Sequence, residues 1–137
     1  MRAADLWLFL PVGYLFSVAV ETPILVLGLS PRHTLRRRLF AGLWLTACTY
    51  PVVALVLPPL FDGAPRAAYL LAAETFAPAA ECALFWLAFG QRSELGRRSA
   101  WRDFSVWRDF AAIVAANLAS FIAGEVAGAY GWFGLFG

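Results

Sequence analysis

Apolar residues fall into four long runs along the chain, separated by short polar segments. The runs cover residues 6–29, 39–60, 67–89 and 110–130, and they are named spans one to four in chain order. Each run is long enough to cross a hydrocarbon layer of ~30 Å as a helix rising ~1.5 Å per residue. The pattern predicts an all-α integral membrane protein, with residues 1–137 forming one transmembrane domain built as a four-helix bundle.

Composition agrees with this class. Hydrophobic residues make up 61% of the chain and charged residues only 15%, whereas a soluble domain has about 25% charged residues. The mean hydropathy is +0.68. Span one is too long for the apolar core of a signal peptide and carries Glu21, so the sequence predicts a true span there.

The arginines predict the orientation. Nine of the eleven basic residues lie in segments 30–38 and 91–109, and every basic residue is Arg. The positive-inside rule places these segments in the cytoplasm. Both termini are then expected on the outer side, in a multi-pass protein of the bacterial inner (plasma) membrane. So one-sided a distribution argues against a protein whose copies insert both ways up.

Segment 91–109 contains the tetrapeptide WRDF twice, at 101–104 and 107–110. Its mixture of aromatic, basic and acidic residues is typical of an amphipathic segment at the cytoplasmic interface. Anchoring and topology explain these residues; binding of a lipid phosphate or of an acidic partner is the alternative. No nucleic-acid partner is predicted. The candidate lipid or partner interface consists of Arg36, Arg37, Arg38, Trp101, Arg102, Trp107 and Arg108.

Each span carries one stripe of polar or small residues on a helical wheel. In lipid such stripes must face the interior of the bundle, so the four spans are expected to enclose a polar seam. Counting along the helices puts Glu21, Glu81, Asn117 and Thr49 in a deep layer and Glu74 with Glu125 nearer the outer side, with Ser120 between. The candidate proton or cation seam comprises Glu21, Thr46, Thr49, Glu74, Glu81, Asn117, Ser120 and Glu125.

Four glutamates inside the spans need a physical explanation. A charged, unpaired carboxylate at the bilayer centre costs about 2.5–3.5 kcal/mol on insertion scales, and no basic residue lies inside the predicted spans. The carboxylates are therefore expected to be protonated, to hold a cation or to contact water. Glu21 with Glu81, and Glu74 with Glu125, are expected as pairs able to share a proton. The alternative is that protonated glutamates hydrogen-bond one helix to another.

Span four also carries a small residue at every fourth position, a pattern that lets two membrane helices approach closely. We expect this stripe to pack within the protomer, while a neighbouring alanine row offers a surface for homo-oligomerisation. The stripe consists of Ala112, Ala116, Ser120, Gly124 and Gly128, and the row of Ala115, Ala119, Ala123 and Ala127.

The sequence favours translocation or coupling of a proton or small cation. The alternative function is a non-catalytic accessory subunit of a larger membrane complex. Enzymatic activity is not predicted, because His33 is the sole histidine and the two cysteines match no metal motif. No metal site or cofactor is expected. The expected partners are the lipid bilayer, a second copy of the chain or other membrane subunits.

Overall fold

A computed structural model describes the backbone of residues 3–90 and 104–131 and the side chains of residues 9–90 and 104–131. Within these ranges the chain is helical and contains no strand. The helices are α1 (Ala3–Gly28), α2 (Leu35–Pro51), α3 (Leu57–Leu60), α4 (Arg66–Phe85) and α5 (Phe104–Ala129). A π-helical turn, Val52–Val56, joins α2 to α3, and a second, Trp86–Gly90, extends α4.

Four helical segments are long and apolar enough to cross a membrane: Phe9–Gly28, Leu35–Leu60, Arg66–Gly90 and Phe104–Ala129. The predicted all-α fold with four membrane-spanning helices is thus confirmed. The fourth segment begins at Phe104, so residues 104–109 of the expected interface segment form the first turns of α5. Residues 91–103, which include Trp101 and Arg102, lie outside the described residues.

The helices pack as a ring in which α1 contacts α2 and α5, and α4 contacts the same two helices. Residues 29–34 connect α1 to α2 at one end of the bundle, here named the arginine end. Residues 61–65 connect α3 to α4 at the opposite end, the turn end, where Gly63 adopts a left-handed φ of 78° that glycine accepts without strain. Helix α5 starts at the arginine end, because Asp109 contacts Ser30, and finishes at the turn end.

Large apolar side chains cover the outside of the bundle. Leu27 is 79% exposed and Leu71 is 72% exposed. Buried positions, by contrast, include carboxylates, threonines and an asparagine. Apolar side chains on the outside and polar side chains in the interior are the arrangement that the hydrocarbon of a membrane favours.

The main cluster of buried apolar residues lies in the arginine half of the bundle. It consists of Leu25, Leu29, Ala41, Leu45, Phe85, Ala112, Ile113 and Ala116. The small-residue stripe of span four follows the same division. A Cβ added to Gly28 would lie 2.9 Å from the Cβ of Ala112, whereas one added to Gly124 or Gly128 would meet nothing within 4 Å. The stripe therefore packs helices closely in the arginine half and leaves open space in the turn half.

This division makes a matched pair of leucine substitutions informative. Gly28→Leu is expected to lower the free energy of unfolding by about 1–3 kcal/mol, because the new side chain overpacks the contact with Ala112. Gly128→Leu is expected to leave it unchanged or slightly higher, because the new side chain meets open space and leucine favours the helix more than glycine does. Unfolding of both variants by titration with sodium dodecyl sulfate in mixed micelles measures the difference. Equal losses in the two variants would contradict the close packing of α1 on α5.

Candidate functional site

Glu21 lies at the centre of the bundle and is only 4% exposed. The Thr46 hydroxyl of α2 approaches Glu21 Oε2 at 2.8 Å and the carbonyl oxygen of Gly42 at 2.9 Å. Ser17 of α1 and Ser120 of α5, whose hydroxyl donates to the Ser17 hydroxyl at 3.3 Å, line the same space as Glu21. Through Thr46, Glu21 links helices α1 and α2.

Glu81 occupies an equivalent position on α4 and is 2% exposed. Its Oε1 lies 2.7 Å from the Thr49 hydroxyl of α2, and its Oε2 accepts a 2.7 Å hydrogen bond from the Asn117 amide of α5. The same amide group donates to the carbonyl oxygen of Ile113 at 3.0 Å, which fixes its orientation. Glu81 therefore links helices α2, α4 and α5.

Each threonine hydroxyl in this network has one proton and two possible acceptors. Thr49 lies 2.7 Å from Glu81 Oε1 and 3.1 Å from the carbonyl oxygen of Leu45, and Thr46 has the same choice between Glu21 and Gly42. When the carboxyl is ionised, the hydroxyl donates to it. When the carboxyl is protonated, the hydroxyl donates to its own helix and accepts from the acid, since a hydroxyl has lone pairs as well as a proton. Both protonation states keep their hydrogen bonds.

Glu21 and Glu81 lie close enough to repel each other when both are ionised. No hydrogen bond joins the two carboxyl groups among the described residues, so the expected sharing of a proton by direct contact is not seen. Each acid instead has its own hydroxyl partner. The network thus places two carboxyl groups at the middle of the bundle, each with its own threonine hydroxyl as a hydrogen-bond partner.

The outer pair differs from the sequence expectation. Glu125 is paired with Arg66, whose Nη2 donates to Glu125 Oε1 at 2.7 Å, rather than with Glu74. Arg66 is the first residue of α4, and its long side chain reaches α5 although it lies outside the predicted apolar run. Glu74 lies close enough to Glu125 to feel its charge, but has no hydrogen-bond or ion-pair partner within the part of the chain that the structure describes.

A cavity of about 490 Å³ connects the two carboxylate layers. It is lined by Glu21 and Glu81 at the middle of the bundle, by Glu74 on its wall, and by Arg66 and Glu125 at the turn end. Gly124 and Gly128 also line it, so the missing side chains of α5 provide part of its width. All eight predicted seam residues, Glu21, Thr46, Thr49, Glu74, Glu81, Asn117, Ser120 and Glu125, line this one space.

The π-helical turn after Pro51 shapes one wall of the cavity. Proline has no amide proton and displaces the carbonyl four residues earlier, which loosens the helix at that point. The carbonyl oxygen of Val53 in this turn accepts a 3.1 Å hydrogen bond from the Tyr69 hydroxyl. That bond fixes the Tyr69 ring beside the cavity, which Val53 also lines.

A second polar cluster, at the arginine end, was not predicted from the sequence. Asp109 is 1% exposed, and its Oδ1 accepts a 2.7 Å hydrogen bond from the Ser30 backbone amide. Its Oδ2 accepts from Arg32 Nη2 at 3.0 Å and from His33 Nε2 at 2.9 Å. The His33 ring is buried against the edge of Phe85, with 5.0 Å between ring centroids. The acidic residues of the WRDF repeat were the one available signal, and only the fold shows that Asp109 meets the loop 29–34.

Two arginines of the predicted lipid or partner interface contact the protein itself. Arg38 donates to the carbonyl oxygens of Val26 at 2.6 Å, Ser30 at 3.2 Å and His33 at 3.0 Å. Arg108 donates to the carbonyl oxygen of Gly28 at 2.9 Å. The bonds to Val26 and Gly28 satisfy carbonyl groups that the end of α1 leaves without helical partners, and a cation there complements the helix dipole. The bonds to Ser30 and His33 hold the loop that follows.

The other described residues of that interface lie at the surface. The Arg37 guanidinium stacks 4.9 Å from the centre of the Phe89 ring, while Arg36 and Trp107 are exposed. Trp101 and Arg102 fall outside the described residues. The structure thus leaves Arg36, Arg37 and Trp107 facing the surroundings of the bundle.

Among residues 3–90 and 104–131, no group of three or more His, Cys, Asp or Glu side chains is arranged to hold a metal ion. Comparisons with protein families, with curated proteins and with solved structures find no significant match to this chain. The chemistry of the carboxylate network and its cavity is therefore the basis on which a function is inferred.

Proposed function

We propose that this chain translocates, or couples to, protons or small cations through the buried carboxylates Glu21 and Glu81. It would do so in a bacterial inner membrane, with the arginine end in the cytoplasm and both termini outside. The observation that carries the proposal is the pair of threonine hydroxyls that serve either protonation state of these acids. Such a site loads and releases a proton without losing a hydrogen bond, so neither state pays the full cost of an unsatisfied buried group.

The position of the cavity also supports movement of a proton or cation to these carboxyl groups. The cavity reaches Glu21 and Glu81 from the turn end, and the apolar core around Leu25, Phe85 and Ile113 closes the arginine half. An ion entering from the turn end would therefore stop at the deep carboxylates. Passage to the other side would require the core to part, or the protein to work as a subunit that hands protons to a partner or to a second copy.

A matched set of substitutions tests the proposal in proteoliposomes carrying a proton or monovalent-cation gradient. Glu81→Gln is expected to reduce flux to that of protein-free vesicles, because the amide cannot exchange a proton. Thr49→Val is expected to reduce flux strongly, whereas Thr49→Ser, which keeps the hydroxyl, retains it. Asp62→Asn, in the exposed turn, is the control and should leave flux unchanged.

Thermal melting must accompany these flux measurements, because Glu81 also joins three helices. Glutamine can still accept from Asn117 and donate to Thr49, so the Glu81→Gln variant is expected to stay folded, within about 1 kcal/mol of the parent. Absence of flux in the unaltered protein across a range of pH, with ammonium, sodium and potassium gradients all silent, would overturn the proposal.

That negative result would favour the second function, a non-catalytic accessory subunit. The observation in its favour is that Glu21 bonds to α2, and Glu81 to α2 and α5, as interhelical hydrogen-bonding groups would. In that case Glu81→Gln and Thr49→Val would alter thermal stability alone, and co-purification of a membrane partner would be the next observation.

A further inference from the structure

The cavity is much larger than a bare ion needs. Its volume of about 490 Å³ falls within the ~300–1,000 Å³ of pockets that hold small organic molecules. A proton path requires only a line of hydroxyl and carboxyl groups, and such groups make up a minority of the residues on this lining. The remaining space therefore calls for an explanation beyond proton movement.

Aromatic rings form much of the cavity wall. Phe9, Phe16, Tyr50, Tyr69 and Phe121 all line it, and two of these five rings are held in place by the fold. The Tyr69 hydroxyl donates to the Val53 carbonyl oxygen, and Tyr50 lies directly over Gly13, where an added Cβ would collide with the phenol. Ring faces fixed around a space are the surfaces that attract a positively charged organic group.

The charges facing this space favour a cation. Arg66 and Glu125 offset each other at the turn end of the cavity, which leaves Glu74, Glu21 and Glu81 as the remaining carboxyl groups on the lining. Glu74 is the carboxylate that no described hydrogen bond or ion pair accounts for. Any of these groups that is ionised would repel an anionic ligand and attract a cationic one.

We infer that the cavity binds a monovalent organic cation with an apolar body, of the amine or quaternary ammonium class, with Glu74 as its counter-charge and the aromatic wall around it. This deepens the proposed function and rests on it for any coupled movement, since the ligand would share the seam with the transported proton or cation. Binding itself depends only on the cavity.

Equilibrium dialysis of the purified protein with radiolabelled benzyltrimethylammonium tests the inference. Phenylmethanesulfonate, of similar size and opposite charge, is the matched probe. Saturable binding of the cation and none of the anion is expected. Glu74→Gln should weaken binding of the cation by about tenfold or more, because a charge attraction across a poorly hydrated space is lost. Asp62→Asn should leave it unchanged.

Two further variants measure how much the aromatic rings contribute to cation binding, apart from the charge of Glu74. Phe121→Leu removes an aromatic wall and should weaken binding by about threefold to tenfold, whereas Phe76→Leu, on a partly exposed ring outside the cavity, should have no effect. Gly128→Leu fills space at the turn end and should also weaken binding. It keeps the experiment decisive if Glu74→Gln fails to fold.

Several results would overturn the inference: equal binding of the cation and the anion, unchanged affinity in both Glu74→Gln and Gly128→Leu, or no saturable binding at all. A cavity filled by a lipid chain would give the last result, together with a retained lipid in native mass spectrometry that Gly128→Leu expels. Proton flux that persists without cation binding would sink this inference alone. Binding without any flux would sink the proposed function and leave a cation-binding protein.

Discussion

Asp109→Asn is expected to lower the free energy of unfolding by about 3–5 kcal/mol, the range found when one partner of a buried ion pair is removed. Asp109 is 1% exposed and accepts hydrogen bonds from Ser30, Arg32 and His33. The asparagine amide would retain one acceptor oxygen for the Ser30 backbone. Its NH₂ group would face two other donors, so Arg32 and His33 would lose their acceptor.

The bundle supplies its own control for this prediction. Glu125→Gln breaks an ion pair at the turn end in which the Arg66 side chain is 70% exposed and the Glu125 side chain 42% exposed. Exposed pairs contribute about 0–1 kcal/mol, so this loss should be several times smaller. Detergent-titrated unfolding of both variants gives the comparison, and similar losses would mean that the cluster around Asp109 does not hold the arginine end together.

Gly124→Leu is expected to abolish most of the proton or cation flux while leaving the fold intact. The added side chain would enter the cavity between the Arg66–Glu125 pair and the deep carboxylates. Nothing lies within 4 Å of the added Cβ. Replacing a helical glycine also raises helix propensity by about 1 kcal/mol, so stability should be equal or higher. Flux and thermal melting on the same proteoliposome preparations measure the two effects.

Val114→Phe is the matched substitution on the outward face of α5, where Val114 is 40% exposed and lies outside the alanine row. It adds apolar volume to the same helix without entering the cavity, and flux should be unchanged. If Gly124→Leu conducts as well as Val114→Phe, the cavity is not the route by which ions reach Glu21 and Glu81, and the access argument fails even if flux itself is present.

The deep polar layer could be anticipated from the sequence because membrane solvent leaves few choices. A residue such as Glu81 or Asn117 in an apolar helix must face the interior, and a helical wheel gives that face directly. Helix rise then places Glu21, Glu81 and Asn117 at similar depths. The hydrogen bonds of the two glutamates with Thr46 and Thr49 follow from facing inward at that depth, although the particular pairs do not.

The outer layer could not be assigned in the same way. Glu125 and Glu74 lie near the bundle end, where a long side chain from outside the apolar run can reach in, and Arg66 does so. The contact of Asp109 with residues 30–33 joins positions more than seventy residues apart. Nothing in local pattern or spacing encodes such a contact, because it depends on which helix ends become neighbours.

The sequence by itself determined that the chain forms four apolar helices with polar residues turned inward, since the length and amphipathicity of a helix in lipid are local properties. Only the tertiary structure decided how that interior is divided. Gly28 and Ala112 bring α1 and α5 together in the arginine half, while Gly124 and Gly128, equally small, face an open cavity. Small residues permit either close contact or space, and the packing of the whole bundle decides which of the two occurs.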